Sequence, residues 1–126
     1  MNTDSAGALM TVDRTLLVQL NPSPSDRAVR LLRDVVGHTL ESQSLRGLVV
    51  DLKGVDAMDS YITRCIRDLA VCARLMGLPT VVCGVQPAVA DTLVEMGLDL
   101  GNVRTTMNLD RALRALSDAR GARTLP

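Results

Sequence analysis

A polar connection between a strand pattern and a helix pattern, within residues 47–76, constrains the fold of this chain more than any other stretch. Residues 48–50 are apolar and end in Asp51, which is typical of a strand buried in a parallel sheet. Helical spacing begins at Asp59 and Ser60. Because the chain passes from strand to helix over a short loop, the stretch predicts an α/β fold built from strand–helix units.

Ser60 is predicted to lie at the N-terminus of the second helix. The first backbone N–H groups of a helix lack intrahelical partners and its dipole is positive there, so a phosphate on Ser60 would be favoured electrostatically. Asp and Ser are also ordinary N-cap residues. A purely structural capping role is therefore the alternative interpretation of Asp59 and Ser60.

Composition limits the architecture and the ligands. A length of 126 residues suits one domain. Hydrophobic residues make up 47% of the chain, but Phe and Trp are absent and Tyr occurs once, so the core is predicted to be aliphatic. Fourteen basic and fourteen acidic residues give no net charge, which argues against the basic surface that nucleic-acid or membrane-surface binding requires.

The ends and the cysteines predict a cytoplasmic protein. Residues 1–10 have neither a basic segment nor a long apolar segment, so no signal peptide is predicted, and no stretch is long enough for a membrane span. Cys65, Cys72 and Cys83 lie in apolar runs without CxxC spacing, which predicts buried, reduced thiols. His38 is expected to be a partly exposed helix residue, and we predict no metal site and no cofactor.

The N-terminal half is predicted to hold a hairpin, a helix and a strand. Residues 7–12 and 15–20 are β-branched apolar runs around a two-residue turn, and residues 48–52 form a central strand. Helix one is capped by Ser25 and extends to about Glu41. Its predicted inner face consists of Ala28, Leu31, Leu32, Val35, Val36, Thr39 and Leu40.

The C-terminal half continues the strand–helix alternation. Strands are predicted at 80–85 and 102–107, and helix two is expected to end at Gly77. Helix three begins at Pro87 and helix four is capped by Asn108. The predicted inner faces are Ile62, Cys65, Ile66, Leu69, Ala73 and Met76 in helix two, Val89, Ala90, Leu93, Val94 and Met96 in helix three, and Leu109, Ala112, Leu113 and Leu116 in helix four.

These patterns resemble the STAS domains of bacterial partner-switching systems, in the anti-sigma factor antagonist superfamily, and within it the stressosome scaffold proteins of the RsbS type. The segments that carry the resemblance are 49–52, 56–62, 73–77, 84–90 and 92–97. In classical anti-anti-sigma factors a small residue and a glycine usually follow the phosphorylated serine, whereas Tyr61 and Ile62 follow Ser60 here.

The resemblance implies a single STAS domain over residues 1–118, followed by a flexible tail at 119–126. Its fold class is α/β, a mixed and mostly parallel sheet with an N-terminal antiparallel hairpin and about four helices, gathered mainly on one face. The implied function is a non-enzymatic scaffold that sequesters a serine kinase of the histidine-kinase-like ATPase class in a stressosome. The other implied partners are a serine phosphatase, larger STAS-containing sensor proteins and further copies of the chain.

Ser60 is the implied phosphorylation site, and Thr92 is a weaker candidate. Phosphorylation of Ser60 is expected to release the kinase. The predicted partner-binding residues surround Ser60 and are Asp56, Asp59, Tyr61, Ile62, Thr63 and Arg64. Thr63 also has a structural interpretation, and Arg64 and Arg67 lie along the same helix face as Ser60, where either could pair with a phosphate.

Other functions fit the sequence less well. Catalysis by Ser60 lacks a histidine base and a nucleophile-elbow pattern, and no glycine-rich phosphate loop follows a strand. A response-regulator receiver requires an acidic pair after the first strand and a late lysine, but the corresponding stretch is 21–23 and the only lysine is Lys53. A direct anti-anti-sigma factor and a purely structural STAS assembly module remain the alternatives.

Overall fold

The computed structural model describes residues 6–97 and 103–124, and the side chains of residues 6–97 and 103–118. Within these ranges a five-stranded sheet in the order β1-β2-β3-β4-β5 carries four helices. The strands are β1 (Gly7–Val12), β2 (Thr15–Leu20), β3 (Gly47–Asp51), β4 (Thr80–Cys83) and β5 (Arg104–Thr106). The helices are α1 (Asp26–Ser42), α2 (Ser60–Leu75), α3 (Pro87–Glu95) and α4 (Leu109–Thr124).

The sheet is mixed, as predicted. β1 pairs with β2 in antiparallel orientation, and the pairs β2–β3, β3–β4 and β4–β5 are parallel. The hairpin turns at Asp13 and Arg14, whose φ angles of 48° and 63° place both in the left-handed region. Two successive left-handed residues are the geometry of a type I′ turn, which matches strand twist even though neither residue is glycine.

The helices cover both faces of the sheet unequally. On one face α1, α2 and α3 pack over the larger core, which includes Val18, Val50 and Val82 from the three central strands. On the other face α4 is the one helix, among the described residues, that packs on the sheet, with Ala112 and Leu116 against a smaller cluster. Side chains alternate between the faces of a strand, so each central strand contributes to both clusters and reads as a continuous apolar run.

The predicted helix ends are largely confirmed. The Ser25 hydroxyl accepts a hydrogen bond from the Ala28 N–H over 3.1 Å at the start of α1. After α2, Gly77 has a φ of 79°, and the N–H groups of Gly77 and Leu78 donate to the carbonyls of Arg74 and Ala73. These two hydrogen bonds form a Schellman motif, which accounts for the end of α2 at this glycine.

The predicted inner faces were partly wrong. Ala28, Val36 and Leu40 of α1 are buried as predicted, together with Val29, which the periodicity did not include. The apolar positions of α1 extend around more of the helix than its neighbours cover, so packing against α2 and the sheet decides which are buried. The residues that were predicted to face inward and are instead exposed are Leu31, Val35, Met76, Val94 and Met96.

Two further expectations change at the level of single segments, and a third lies partly outside the described residues. Cys65 and Cys83 are buried, but Cys72 is exposed because it lies on the outer side of α2. The predicted domain boundary at 118 falls within α4, which continues to Thr124 through a stretch rich in the good helix formers Ala and Arg. Residues 98–102, including the predicted start of the last strand, and residues 125–126 lie outside the described part. In the part of the chain described, no helix has the length and hydrophobicity of a bilayer span.

Candidate functional site

The connection from β3 to α2, residues 52–59, alternates between anchored and exposed side chains. Val55 and Met58 are buried in the larger core, while Asp56 and Asp59 are exposed. Burial of each apolar side chain stabilises the folded loop by roughly 1.5–3 kcal/mol relative to leaving it in water. The loop therefore has a fixed course and holds its acidic residues at the surface, just before Ser60.

Hydrogen bonds tie the same connection to three neighbouring segments. The Asp51 carboxylate accepts from the Lys53 N–H over 3.0 Å, and the Lys53 carbonyl accepts from the side-chain amide of Gln86 over 2.7 Å. The Asp56 N–H donates to the carbonyl of Pro22 over 3.4 Å. The loop is thus connected to the end of β3, the start of α3 and the segment that precedes α1.

Asp59, rather than Ser60, caps α2. Its carboxylate oxygen accepts from the Ile62 N–H over 2.8 Å, which satisfies one of the free donors at the helix start. Ser60 is the first residue of α2 and is exposed. Among the described residues, the Ser60 hydroxyl has no hydrogen-bond partner. The hydroxyl is therefore accessible at the positive end of the helix dipole.

The structure separates the predicted partner-binding residues into two groups. Asp56, Asp59 and Arg64 are exposed around Ser60, and Tyr61 is half-buried. A role of Ile62 and Thr63 in partner binding stays a prediction, and in this conformation their side chains are buried. The reason is helical geometry: at the second and third positions after Ser60 the helix has turned toward the core.

Thr63 and Thr92 both have their hydroxyl groups engaged. Thr63 donates to the carbonyl of Asp59 over 2.8 Å, in agreement with its structural interpretation. Thr92 lies within α3, is half-buried, and donates to the Ala88 carbonyl over 3.0 Å. Both are bonds from a side chain to the backbone of the preceding turn. In this conformation neither hydroxyl is presented as Ser60 is.

Two groups near the site have raised pKa values. Burial raises the pKa of the Tyr61 hydroxyl, and Cys65 adds to the rise, while the guanidinium groups of Arg30 and Arg33 oppose it. Tyr61 is therefore neutral at physiological pH. Burial also raises the pKa of the Cys83 thiol to about 12, with a further contribution from the adjacent Asp51 carboxylate. The cause is that a low-polarity environment and a nearby negative charge both disfavour a thiolate.

The acidic residues do not form one cluster. Asp51 is buried beneath the loop, where it also accepts from the Gln19 side chain over 3.3 Å, whereas Asp56 and Asp59 lie at the surface. Within residues 6–97 and 103–118, no three His, Cys, Asp or Glu side chains are grouped so that they could hold a metal ion. The site is thus an exposed hydroxyl flanked by two carboxylates.

The STAS domain model matches residues 9–112. This chain belongs to the STAS family. The match extends from β1 into α4 and includes the whole connection that presents Ser60.

The STAS domain is similar to solved structures that differ in their sequence identity to it. It is 32% identical to a serine-to-glutamate variant of RsbS from Moorella thermoacetica, with a TM-score of 0.83 over 93% of this chain and 99% of that chain. A structure describing the molecular architecture of the stressosome gives 32% identity and a TM-score of 0.75 over 90% of this chain and 98% of that one. The unphosphorylated form of SpoIIAA, at 14% identity and a TM-score of 0.71 over 92% and 99% of the two chains, shares the fold.

Two of the curated relatives in Bacillus subtilis are longer proteins. The RsbT co-antagonist protein RsbRD is 33% identical over 84 residues, which are 64% of this chain and 30% of the relative. RsbRA is 24% identical over 100 residues, or 79% and 36% of the two chains. This STAS domain therefore spans about a third of the length of these relatives.

The sequence did not reveal the residues that hold the site in place. Gln86 binds the loop backbone from the next strand–helix connection, and Pro22 does so from the segment after β2. No local pattern marks either contact, because both join segments that are distant in the sequence.

Proposed function

We propose that this STAS protein is a non-enzymatic scaffold that sequesters a partner serine kinase in a stress-signalling complex and releases it when Ser60 is phosphorylated. The observation that carries the proposal is the exposed Ser60 at the first position of α2, on a loop anchored by buried Val55 and Met58. The similarity to the RsbT co-antagonist proteins supports it, since their names describe antagonism of a partner, and so does the similarity to a structure that describes the stressosome.

The kinase surface would consist of the exposed residues around Ser60. Asp56, Asp59 and Arg64 supply charge for a complementary protein surface, and such charges contribute mainly to specificity and association rate. Half-buried Tyr61 supplies apolar area with a neutral hydroxyl. We expect the partner to be a kinase of the histidine-kinase-like ATPase class, opposed by a serine phosphatase.

Phosphorylation would change the charge of this surface without altering the fold. A phosphoserine adds about −1.5 to −2 charge at neutral pH, here next to the carboxylates of Asp56 and Asp59. The helix dipole would stabilise that phosphate by about 0.3–1 kcal/mol, and Arg64, one turn further along α2, could pair with it. The domain would therefore tolerate the phosphate, while a kinase surface selected to bind the unmodified acidic loop would be repelled.

The scaffold is expected to work in an assembly. Larger STAS-containing sensor proteins are the proposed co-assembling partners, because this chain spans only about a third of the RsbT co-antagonist relatives and one similar structure describes the stressosome. In this arrangement the sensors would supply the stimulus and the STAS protein would supply the binding site for the kinase.

Calorimetric titration against the kinase tests the switch. Ser60→Ala should bind as the unmodified protein does, and Ser60→Asp should bind about tenfold or more weakly, which corresponds to about 1.4 kcal/mol. Ser117→Asp, which adds the same charge to an exposed position of α4, is the matched control and should bind normally. Equal affinities for Ser60→Ala, Ser60→Asp and the phosphorylated protein would contradict the mechanism.

Peptide mass spectrometry after incubation with the kinase and ATP tests the site itself. Phosphate should be found on Ser60, and Thr92→Ala should be modified to the same extent as the unchanged protein. Modification of Thr63 or Thr92 with none on Ser60 would refute the assignment.

A further inference from the structure

β1 is an edge strand, paired with β2 on one side only. Its sequence, GALMTV, contains no charged residue and no proline, and the side chains of Met10 and Val12 are 57% and 41% exposed. Natural sheets usually protect their edges with charges, prolines or bulges, because unpaired backbone groups there can pair with another strand. None of these devices is present on β1, so this edge is suited to strand addition.

The hydrogen-bond pattern determines which backbone groups face the open edge. The Asn21 N–H donates to the carbonyl of Ala6 over 2.7 Å, so Ala6 and every second residue after it direct their backbone groups toward β2. In an antiparallel ladder the backbone N–H and C=O groups of the intervening residues are directed away from the paired strand. Leu9 and Thr11 therefore direct their N–H and C=O groups outward.

We propose that two copies of this chain associate by antiparallel pairing of their β1 strands, about a two-fold axis that passes beside Met10. In this register Leu9 of one copy exchanges both backbone hydrogen bonds with Thr11 of the second copy. Met10 lies opposite Met10 of the second copy in a non-hydrogen-bonded pair, where Cα atoms approach to about 4.5 Å.

The edge is complementary to itself in side chains as well as in backbone. Ala8, Met10 and Val12 share one face of β1, and the proposed register places Ala8 against Val12 and Met10 against its own copy. Every cross-strand pair on that face is therefore apolar, and the exposed Met10 and Val12 gain apolar neighbours. A strand that carried charge would lose this match, which favours an identical copy as the occupant.

The proposed interface is independent of the phosphorylation switch. Ser60 begins α2, which packs against β3 and β4, whereas β1 is separated from β3 by β2. Failure of either proposal therefore leaves the other standing.

Analytical ultracentrifugation of the full chain over a dilution series tests the surface. Met10→Lys places two like charges directly opposite each other, which destabilises a strand pair, and should raise the dimer dissociation constant by about tenfold or more. Leu31→Lys is the matched control, because Leu31 is 52% exposed on α1, and it should leave the constant unchanged. A chain that stays monomeric at all concentrations, or a dimer that is equally stable in both variants, would overturn the proposal.

Disulfide cross-linking tests the register. In a Cys72→Ser background, Met10→Cys should form a covalent dimer on oxidation, because a Cα separation of about 4.5 Å lies within the disulfide range. Val35→Cys, which is equally surface-accessible at 51% exposure, should not cross-link. Equal cross-linking at both positions would contradict the pairing. A Met10→Lys substitution that weakens binding to a different STAS protein but leaves self-association unchanged would also contradict it.

Discussion

The connections from β3 to α2 and from β4 to α3 occupy equivalent positions at neighbouring strand ends, yet they are built differently. The first, residues 52–59, is acidic and anchored by buried side chains, and it delivers the exposed Ser60. The second, residues 84–86, turns at Gly84 with a φ of 73° and has no exposed hydroxyl at its helix start. A position at the strand ends is therefore insufficient to present an exposed hydroxyl. The anchored loop is what presents the serine.

The two connections also support each other. Asp51 and Cys83 are the paired last residues of β3 and β4, and Gln86 holds the Lys53 carbonyl. A Cβ on Gly84 would lie 3.0 Å from both the Asp51 carboxylate and the Lys53 nitrogen. The short connection thus stabilises the long one through the Gln86 hydrogen bond, and the following variants test that difference in role.

The largest effect should come from removing an anchor of the long connection. Met58→Ala leaves a cavity under the loop and should lower the free energy of unfolding by about 2–5 kcal/mol. Met96→Ala, at an exposed position after α3, should change it by no more than about 0.5 kcal/mol. Urea denaturation of both variants measures the difference, and equal losses would remove the distinction between the connections.

An alkaline dependence should follow from Cys83 at the end of β4. Its pKa is raised from 9.0 to about 12 in the folded protein, so between these values the folded state retains a proton that the unfolded state has lost. Stability should therefore fall as pH rises through this window, by about 1.4 kcal/mol per pH unit.

Denaturation midpoints measured from pH 8 to 11 test this dependence. Cys83→Ala should reduce the dependence of the unfolding free energy on pH by up to the equivalent of one proton, which is about 1.4 kcal/mol per pH unit. Cys72→Ala, at an exposed thiol, should keep the full dependence. Identical slopes in the two variants would show that another group is responsible.

Loss of the Gln86 hydrogen bond should have a smaller, local effect on stability. Gln86→Ala removes one hydrogen bond to the Lys53 carbonyl, which is worth about 0.5–1.5 kcal/mol. Amide hydrogen exchange in residues 53–56 should become faster, while exchange in β4 stays unchanged. Gln43→Ala, at an exposed position after α1, is the control. Unaltered exchange in Gln86→Ala would show that Gln86 does not stabilise the connection from β3 to α2.

The smallest effect on stability is expected at Ser60 itself. Because its side chain is exposed and has no bond among the described residues, Ser60→Ala and Ser60→Asp should each change the free energy of unfolding by less than about 0.5 kcal/mol. Thermal denaturation checks this. A large loss in Ser60→Asp would mean that weaker kinase binding reflects damage to the fold rather than a change of surface charge.

The sequence by itself determined the order and type of the elements. Apolar runs at β3 and β4, the Gly77 stop and the Ser25 cap act over a few residues, so local patterns identify them. The same is true of the placement of Ser60 at the start of α2, since a strand, a short polar loop and a helical period leave little freedom in between.

Only the tertiary structure decided which surfaces are covered. Periodicity placed Leu31 and Val35 in the core and missed Val29, because the apolar positions of α1 exceed the area that its neighbours bury. Ile62 and Thr63 follow Ser60 in the chain but turn inward with the helix. The Gln86 bond to the Lys53 carbonyl joins residues 33 positions apart, and contacts of this kind depend on how the elements pack rather than on any local pattern.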